Sequence, residues 1–127
     1  MFISLLKSKI HRATVTDAVV DYIGSITIDK ELLSEAGMVV WEKVLVVSLD
    51  TGERLETYII EGESESGEIC LNGAAAKVMK KGEKIIIMSF CQLTEEETKG
   101  FEPKIVHVDK TNKIIKDILN SKDNEEC

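Results

Sequence analysis

Apolar and β-branched residues occur in short runs along most of the chain, and each run is bounded by residues that favour turns. Runs of this length and composition are typical of β-strands. Between two of the runs, the sequence DTGER predicts a hairpin turn in which Gly52 supplies a residue with positive φ. The predicted strands are 2–15, 44–49, 56–61, 68–72, 84–90 and 104–109.

Helical signals are few and short. The segment 30–37 predicts a helix that begins after Asp29 as N-cap and stops at a glycine. The segment 74–82 predicts a second helix, also ended by a glycine. In the C-terminal tail, from about residue 111 to 127, a short amphipathic helix is expected before a wholly polar end, because four apolar residues have helical spacing. These four are Ile114, Ile115, Ile118 and Leu119.

About six strands, two short helices and no connection long enough for a βαβ unit predict a mainly β fold. The expected architecture is a compact β-barrel with mixed strand pairing. The length of 127 residues, with 43% hydrophobic and 31% charged residues, predicts a single globular domain over residues 1–127.

Charge and targeting signals exclude some classes of protein. The chain has 16 basic and 23 acidic residues and a net charge of −7. This balance argues against a nucleic-acid partner, because nonspecific binding depends on clustered Lys and Arg. No apolar run reaches the roughly 18 residues that span a bilayer, so no membrane partner is expected. The N-terminus lacks the basic region and cleavage site of a secretory signal.

The cysteines and histidines do not form a recognisable framework. Cys70, Cys91 and Cys127 are odd in number and irregularly spaced, which suits a reducing cytoplasm without disulfides. His11 and His107 lie far apart and have no partner at metal-ligand spacing. We therefore expect a cytoplasmic protein without a metal site.

One strand-like stretch contains a pair of residues that the interior of a strand disfavours. The sequence DYIGSITID, residues 21–29, alternates apolar residues but carries Gly24 and Ser25 in its middle. Glycine inside a strand usually marks a bulge, a bend or a close backbone approach. A simple turn would also explain the pair, so neighbouring motifs have to decide between a turn and a functional feature.

Three further segments carry polar residues that a β core does not require. KIHRATVT places Lys9 and His11 on one face of a strand, although a solvated charge is the simpler explanation of the lysine. GERLETY supplies a cation, a hydroxyl and a phenol close together, although the tyrosine could be an edge of the core. LNGAAA places an asparagine and small residues before a helix start, where backbone N–H groups can bind an anion. The residues of the last two segments are Arg54, Thr57, Tyr58, Asn72, Gly73, Ala74 and Ala75.

Together these segments resemble the pyruvoyl-dependent aspartate 1-decarboxylases, which convert L-aspartate to β-alanine for pantothenate synthesis. The matching pieces cover about residues 1–90 in the family's order and spacing: KIHRATVT, YIGSITID, AGM, ERLETYII, ICLNGAAA and GEKIIIMSF. The combination of Y-x-G-S-x-x-I-D with R-x-x-T-Y and N-G-A-A-A is highly specific. The sequence departs from the family at Trp41, where many members carry a Pro-Asn turn, at the turn SLDTG and at the acidic EGESESGE.

The resemblance implies a fold, an assembly and a cofactor. The implied fold is a six-stranded double-psi β-barrel, assembled as a homotetramer with active sites at subunit boundaries. Self-cleavage between Gly24 and Ser25 would give residues 1–24 and 25–127 and leave a pyruvoyl group derived from Ser25. Decarboxylation of L-aspartate would then proceed through a Schiff base with this covalent cofactor. The sequence does not say whether maturation needs a helper protein.

The resemblance also implies roles for individual residues. Thr57 would stabilise the charge that develops on the scissile carbonyl, and Tyr58 would return a proton to the substrate. Arg54 would bind the side-chain carboxylate through its planar fork. Thr57 would also contact the substrate, and the other substrate-binding residues would be Lys9, Asn72, Gly73, Ala74 and Ala75. His11 and Tyr22 would lie near the site without an assigned role.

Two alternatives to this function remain open at the level of the sequence. A non-catalytic barrel could bind a small ligand or DNA, although the net charge of −7 offers no basic face for DNA. A related decarboxylase could act on another amino acid, and products formed from aspartate and from glutamate would separate these cases.

Overall fold

The computed structural model of the chain describes residues 1–116, which form mainly β-strands. The strands are β1 Phe2–Thr14, β2 Asp17–Val19, β3 Ser25–Asp29, β4 Lys43–Ser48, β5 Arg54–Gly62, β6 Ile69–Asn72, β7 Lys84–Thr94 and β8 Lys104–His107. The helices are α1 Lys30–Ala36 and α2 Ala75–Val78. The predicted mainly β class with short helices is confirmed. Within the described residues, no helix has the length and apolar content of a membrane span.

The strands form one mixed sheet in the order β2-β6-β3-β5-β4-β7-β1-β8. Strand β1 is antiparallel to β7 and parallel to β8, and β3 lies between antiparallel β6 and parallel β5. The prediction of mixed pairing is therefore confirmed. The described residues contain eight strands rather than about six, because residues 17–19 and 25–29 form two further strands. The arrangement is consistent with a β-barrel, and the double-psi topology stays a prediction.

The stretch 21–29 is not one continuous strand. Strand β3 begins at Ser25, opposite Asn72 at the end of its partner β6. Strand β6 ends there, and the chain turns away at Gly73, which has a φ of 70°. Gly24 therefore has no residue in β6 to pair with. Gly24 is exposed, whereas Ser25 is only 1% exposed. The Gly-Ser pair therefore lies at the start of a strand rather than in its middle.

Aliphatic side chains on the inner faces of the strands form the core. Ile26 and Ile28 of β3, Ile59 of β5, and Ile85 and Ile87 of β7 are completely buried. In β7 these residues alternate with more exposed ones, as expected where a strand buries one face. This packing fixes β3 and β5, the two parallel neighbours that carry several of the candidate site residues.

Helix α1 begins and ends as the sequence predicts. Asp29 is its N-cap and accepts a hydrogen bond from the backbone N–H of Glu31. Gly37 ends the helix in the left-handed conformation, with a φ of 70°.

Helix α2 is shorter than predicted. It consists of one turn, Ala75–Val78, rather than residues 74–82. The chain leaves the helix at Met79, because this residue is fully buried in the core and has extended backbone angles. Gly82 therefore lies beyond the helix and does not end it.

The amphipathic helix predicted in the C-terminal tail is not formed in its described part. Ile114 makes an antiparallel bridge with Val108 of the chain just after β8. The chain reverses between them through Asn112, which has a φ of 64° and is 1% exposed. Because this turn places Ile114 opposite Val108, Ile114 takes part in a β-bridge instead of a helix. Ile118 and Leu119 lie outside the described residues.

We expect replacement of Asp29 by Ala to destabilise the fold by about 2–4 kcal/mol. The carboxylate is 2% exposed and accepts backbone N–H groups of Glu31, Glu65 and Gly67 at 2.8, 2.9 and 2.8 Å. Alanine would leave these donors without an acceptor. Urea unfolding measures the change, with Asp21→Ala as the control because Asp21 is exposed. Equal stability of the two variants would contradict the prediction.

Candidate active site

A cavity of about 370 Å³ opens beside Gly24. This volume lies in the range of small-molecule sites. The lining combines the chain before β3, strand β5, the end of β6 and helix α2, so residues of three separate sequence motifs meet here. The lining residues are Gly24, Leu55, Glu56, Thr57, Tyr58, Asn72, Ala74, Ala75 and Val78.

The buried hydroxyl of Ser25 is held by hydrogen bonds on two sides. Its Oγ donates to the carbonyl of Ile23 at 3.0 Å, and it accepts the side-chain N–H of Asn72 at 3.0 Å. The second contact follows from the register, which places Ser25 opposite Asn72 in the antiparallel pair of β3 and β6. A hydroxyl oxygen that donates one bond and accepts one retains a lone pair for attack on a carbonyl.

The side-chain amide of Asn72 is itself fixed by further contacts. Its Nδ2 also donates to Thr27 Oγ1 at 3.0 Å, and the Cys70 thiol donates to its Oδ1 at 3.3 Å. Burial raises the pKa of Cys70, and the Asp17 carboxylate raises it further. The thiol therefore keeps its proton at neutral pH and can donate it to Asn72 Oδ1, which suits the orientation in which Nδ2 points toward Ser25.

Gly73 connects β6 to α2 in close contact with Gly24. A Cβ atom at Gly73 would lie 2.7 Å from Gly24 Cα and 2.8 Å from Gly24 N. The backbone N–H of Gly73 donates to the carbonyl of Val19 at 2.8 Å, so it is already engaged within the chain. Ala74 and Ala75 are the residues of this turn that line the cavity.

Strand β5 brings Thr57 and Tyr58 to the cavity. The ring of Tyr58 stacks on that of Trp41, with centroids 5.5 Å apart and planes inclined by 22°. Trp41 lies in the turn before β4 and is 73% exposed. The phenol therefore lies between the cavity and a solvent-exposed indole.

Six predicted site residues are not among the described residues that line this cavity. Ser25 and Gly73 are chain neighbours of lining residues, and the other four are Lys9, His11, Tyr22 and Arg54. Lys9 and His11 belong to β1, which is separated from β3 in the sheet by β5, β4 and β7. The ring of His11 meets that of His107 edge-on at 5.3 Å. Burial and the positive charge of Lys9 lower the pKa of His107. Arg54 is the exposed first residue of β5.

Tyr22 lines an adjacent cavity of about 450 Å³. This second cavity shares Asn72 with the first one and is also lined by Thr27 and Cys70. Tyr22 is 56% exposed, and it lies near the site through this second cavity but does not line the cavity beside Gly24.

Six of the described residues at the candidate site are not predicted from the sequence: Leu55, Glu56 and Val78 line the cavity, and Thr27, Cys70 and Trp41 contact its residues. Thr27 and Cys70 both bind Asn72, and Cys70 could have been found because residues two apart in a strand share a face. Trp41 belongs to a different segment of the chain from Tyr58, so no local sequence pattern could reveal that their rings stack.

The side chains around the cavity are of types that can serve as a nucleophile and as a proton donor. A buried hydroxyl, an oriented amide and a phenol surround an exposed glycine, and such groups can carry out nucleophilic attack and proton transfer. Within residues 1–116, no group of three or more His, Cys, Asp and Glu side chains could hold a metal ion.

Comparison with known proteins points to one family. The sequence profile described as aspartate decarboxylase matches residues 1–115. The chain is 58% identical over 127 residues to aspartate 1-decarboxylase of Caldicellulosiruptor saccharolyticus, covering 100% of this chain and 98% of the relative. It is 57% identical over 116 residues to the protein of the same name from Clostridium botulinum strain 657, covering 91% of each chain. The relative from Dehalococcoides mccartyi is 55% identical over 112 residues, covering 88% of this chain and 90% of the relative.

Proposed function

The chain belongs to the aspartate decarboxylase family, and on that basis we propose that it converts L-aspartate to β-alanine and CO₂ with a pyruvoyl group made from its own Ser25. The observation that carries the proposal is the buried hydroxyl of Ser25, which accepts a hydrogen bond from the Asn72 side chain. Ser25 directly follows Gly24, which is exposed. The product feeds pantothenate, and thus coenzyme A, synthesis in the cytoplasm.

The cofactor forms by cleavage of the chain between Gly24 and Ser25. Ser25 Oγ attacks the Gly24 carbonyl carbon, and the peptide nitrogen leaves that carbon as the amine of Ser25, giving an ester. The Ser25 Cα proton and the Gly24 carboxylate then leave, and a C=C bond forms in a dehydroalanine. Water adds and ammonia leaves, so residues 25–127 begin with a pyruvoyl group. The first step is supported by the glycine itself, which has no side chain to obstruct the attack and has nothing within 4 Å of its Cβ position.

Thr57 supports the same cleavage from the neighbouring strand. Negative charge develops on the Gly24 carbonyl oxygen during the attack, and a hydrogen-bond donor at that oxygen lowers the barrier. Thr57 lines the cavity with Gly24 and belongs to β5, the parallel neighbour of β3. Its hydroxyl is therefore the proposed donor.

Decarboxylation uses residues of the same cavity. The pyruvoyl group, as the N-terminal group of residues 25–127, would supply an α-keto carbonyl that acts as the electron acceptor for loss of CO₂. Tyr58 returns a proton to the substrate, since its phenol O–H is a hydrogen-bond and proton donor at the cavity. Asn72, Ala74 and Ala75 shape the cavity around the substrate, and Arg54 binds the side-chain carboxylate.

A homo-oligomer, proposed to be a tetramer, would complete this site. Lys9 lies on β1, which three other strands separate from β3 in the sheet order, and Arg54 is exposed at the start of β5. Both cations are proposed substrate ligands, and a neighbouring subunit that presents its own Lys9 to the cavity would account for the absence of Lys9 from the lining within one chain. Neither a nucleic acid nor a membrane is part of the proposed assembly.

The test combines the mass of the chain with its product. Under denaturing conditions, we expect mass spectrometry to find residues 1–24 and 25–127 as separate species, the second with the mass of a pyruvoyl N-terminus. The cleaved protein should form β-alanine from L-aspartate and no 4-aminobutyrate from L-glutamate. A chain that stays intact after prolonged incubation, or one that prefers L-glutamate, would contradict the proposal.

A further inference from the structure

Trp41 has a backbone conformation that its side chain disfavours. Its φ is 77°, in the left-handed region that bulky residues rarely adopt. Two backbone hydrogen bonds impose this conformation, since Trp41 N–H donates to the Ile59 carbonyl at 2.9 Å and Ile59 N–H donates to the Glu42 carbonyl at 3.1 Å. Strain of this kind persists only where the surroundings enforce it, and it is concentrated at functional sites.

The turn that carries Trp41 is also held from a second side. The Glu42 carboxylate accepts the backbone N–H of Val39 at 3.0 Å and forms an ion pair with Lys7 of β1 at 2.9 Å. The Glu42 side chain is 15% exposed in this pair. The turn is therefore joined both to β5 and to β1, so the indole is attached to a rigid base.

The position of the indole is not explained by burial of the indole itself. Trp41 is 73% exposed, so its apolar surface contributes little to the core. Its ring instead lies against Tyr58 in a stacked geometry, of the kind that aromatic pairs prefer. The contact therefore restricts Tyr58 more than it shelters the tryptophan.

We propose that Trp41 is a positioning residue for Tyr58, holding the phenol ring so that its hydroxyl stays over the cavity lined by Gly24. The inference rests on the proposed function, in which Tyr58 donates a proton to the substrate. Proton transfer requires the donor within hydrogen-bond reach of the acceptor, and a small displacement of a catalytic group lowers the rate steeply. Trp41 is not among the residues that line this cavity, and it acts through the orientation of Tyr58.

The first experiment replaces Trp41 by Asn, which tolerates a positive φ. The variant is expected to be cleaved as completely as the wild type, with KM for L-aspartate within about 2-fold and kcat lower by about 3- to 10-fold. Its thermal midpoint should equal or exceed that of the wild type, because the strain is relieved. Trp41→Phe keeps a ring and should restore kcat to within about 2-fold of the wild type. Unchanged kcat in Trp41→Asn would overturn the inference.

The second experiment asks whether Trp41 acts through the Tyr58 hydroxyl. Tyr58→Phe is expected to lower kcat by about 10²-fold or more, measured as slow β-alanine accumulation at high enzyme concentration. Adding Trp41→Asn to it should cause no further loss, whereas an equal loss in both backgrounds would overturn the inference. If Tyr58→Phe turns over normally, the proposed role of Tyr58 fails and the inference fails with it. If only Trp41→Asn turns over normally, the inference alone fails.

The fluorescence of Trp41 gives an independent reading of the stacking, because the chain contains one tryptophan. Removal of the neighbouring ring in Tyr58→Ala should lower the steady-state anisotropy of the indole, while Tyr58→Phe should leave it unchanged. An anisotropy that does not respond to Tyr58→Ala would show that the two rings do not restrict each other, and would overturn the inference.

Discussion

Replacement of Ser25 by Ala is expected to give an intact chain of 127 residues that forms no detectable β-alanine. Alanine lacks the Oγ that attacks the Gly24 carbonyl, and without cleavage there is no keto group to accept the electrons from the substrate. Loss of a nucleophile of this kind lowers turnover by on the order of 10³-fold or more. Denaturing mass spectrometry and a β-alanine assay on the same sample measure both effects.

The substitution should leave the fold in place, so the loss can be assigned to chemistry. Ser25 gives up its bond to Ile23, but Asn72 keeps Thr27 as an acceptor, and a loss of about 1 kcal/mol of stability is expected. Ser89→Ala is the matched control, because Ser89 is fully buried and bonded to another serine at 2.8 Å, away from the cavity. This control should be cleaved like the wild type. Cleavage of Ser25→Ala at the same bond would refute the role of the Ser25 hydroxyl.

Much of the fold could be predicted because its signals are local. The strand run 84–90 corresponds to the first part of β7, where alternation follows directly from burial of one face. The hairpin between β4 and β5 was predicted from Gly52, whose φ of 79° is set by the turn alone. Period and turn chemistry can be read within a few residues, so they identify such elements from the sequence.

Other elements depend on residues that are distant along the chain. Strand β2 exists because residues 17–19 pair with residues 70–72 of β6, and nothing in its own three residues requires a strand. The short α2 ends where the core buries Met79, and the tail beyond β8 follows the turn at Asn112. These features are decided by tertiary contacts, which local patterns do not contain.

The candidate site also has residues that local motifs predict correctly and residues whose position depends on distant parts of the chain. The motifs around Gly24, Thr57, Tyr58 and Asn72 were expected to meet, and one cavity is lined by all four. Lys9 was grouped with them by resemblance, but the sheet order places it on a distant strand. Which residues reach a site from another strand, or from another copy of the chain, is decided by tertiary and quaternary packing, which local sequence motifs do not contain.

Replacement of Gly73 by Ala is expected to destabilise the fold by about 2–5 kcal/mol and to slow cleavage strongly. The φ of 70° disfavours any side chain, and the new Cβ would lie 2.7 and 2.8 Å from the Cα and N atoms of Gly24. Backbone atoms cannot move aside as a flexible side chain can. Stability is best measured by urea unfolding in the Ser25→Ala background, where every chain is intact.

Gly52→Ala separates the effect of the backbone angle from the effect of the clash. Gly52 has a φ of 79° and nothing within 4 Å of its Cβ position. The Gly52→Ala variant should therefore be destabilised only by the cost of a left-handed alanine, about 1–2 kcal/mol, and should be cleaved normally. In Gly73→Ala, the clash pushes Gly24 away from β6 while β3 holds Ser25 opposite Asn72. A displacement of about 1 Å between reacting groups can lower a rate by about 10²-fold. If Gly73→Ala is no less stable than Gly52→Ala and cleaves at the wild-type rate, close contact between Gly73 and Gly24 is not what prepares the chain for cleavage.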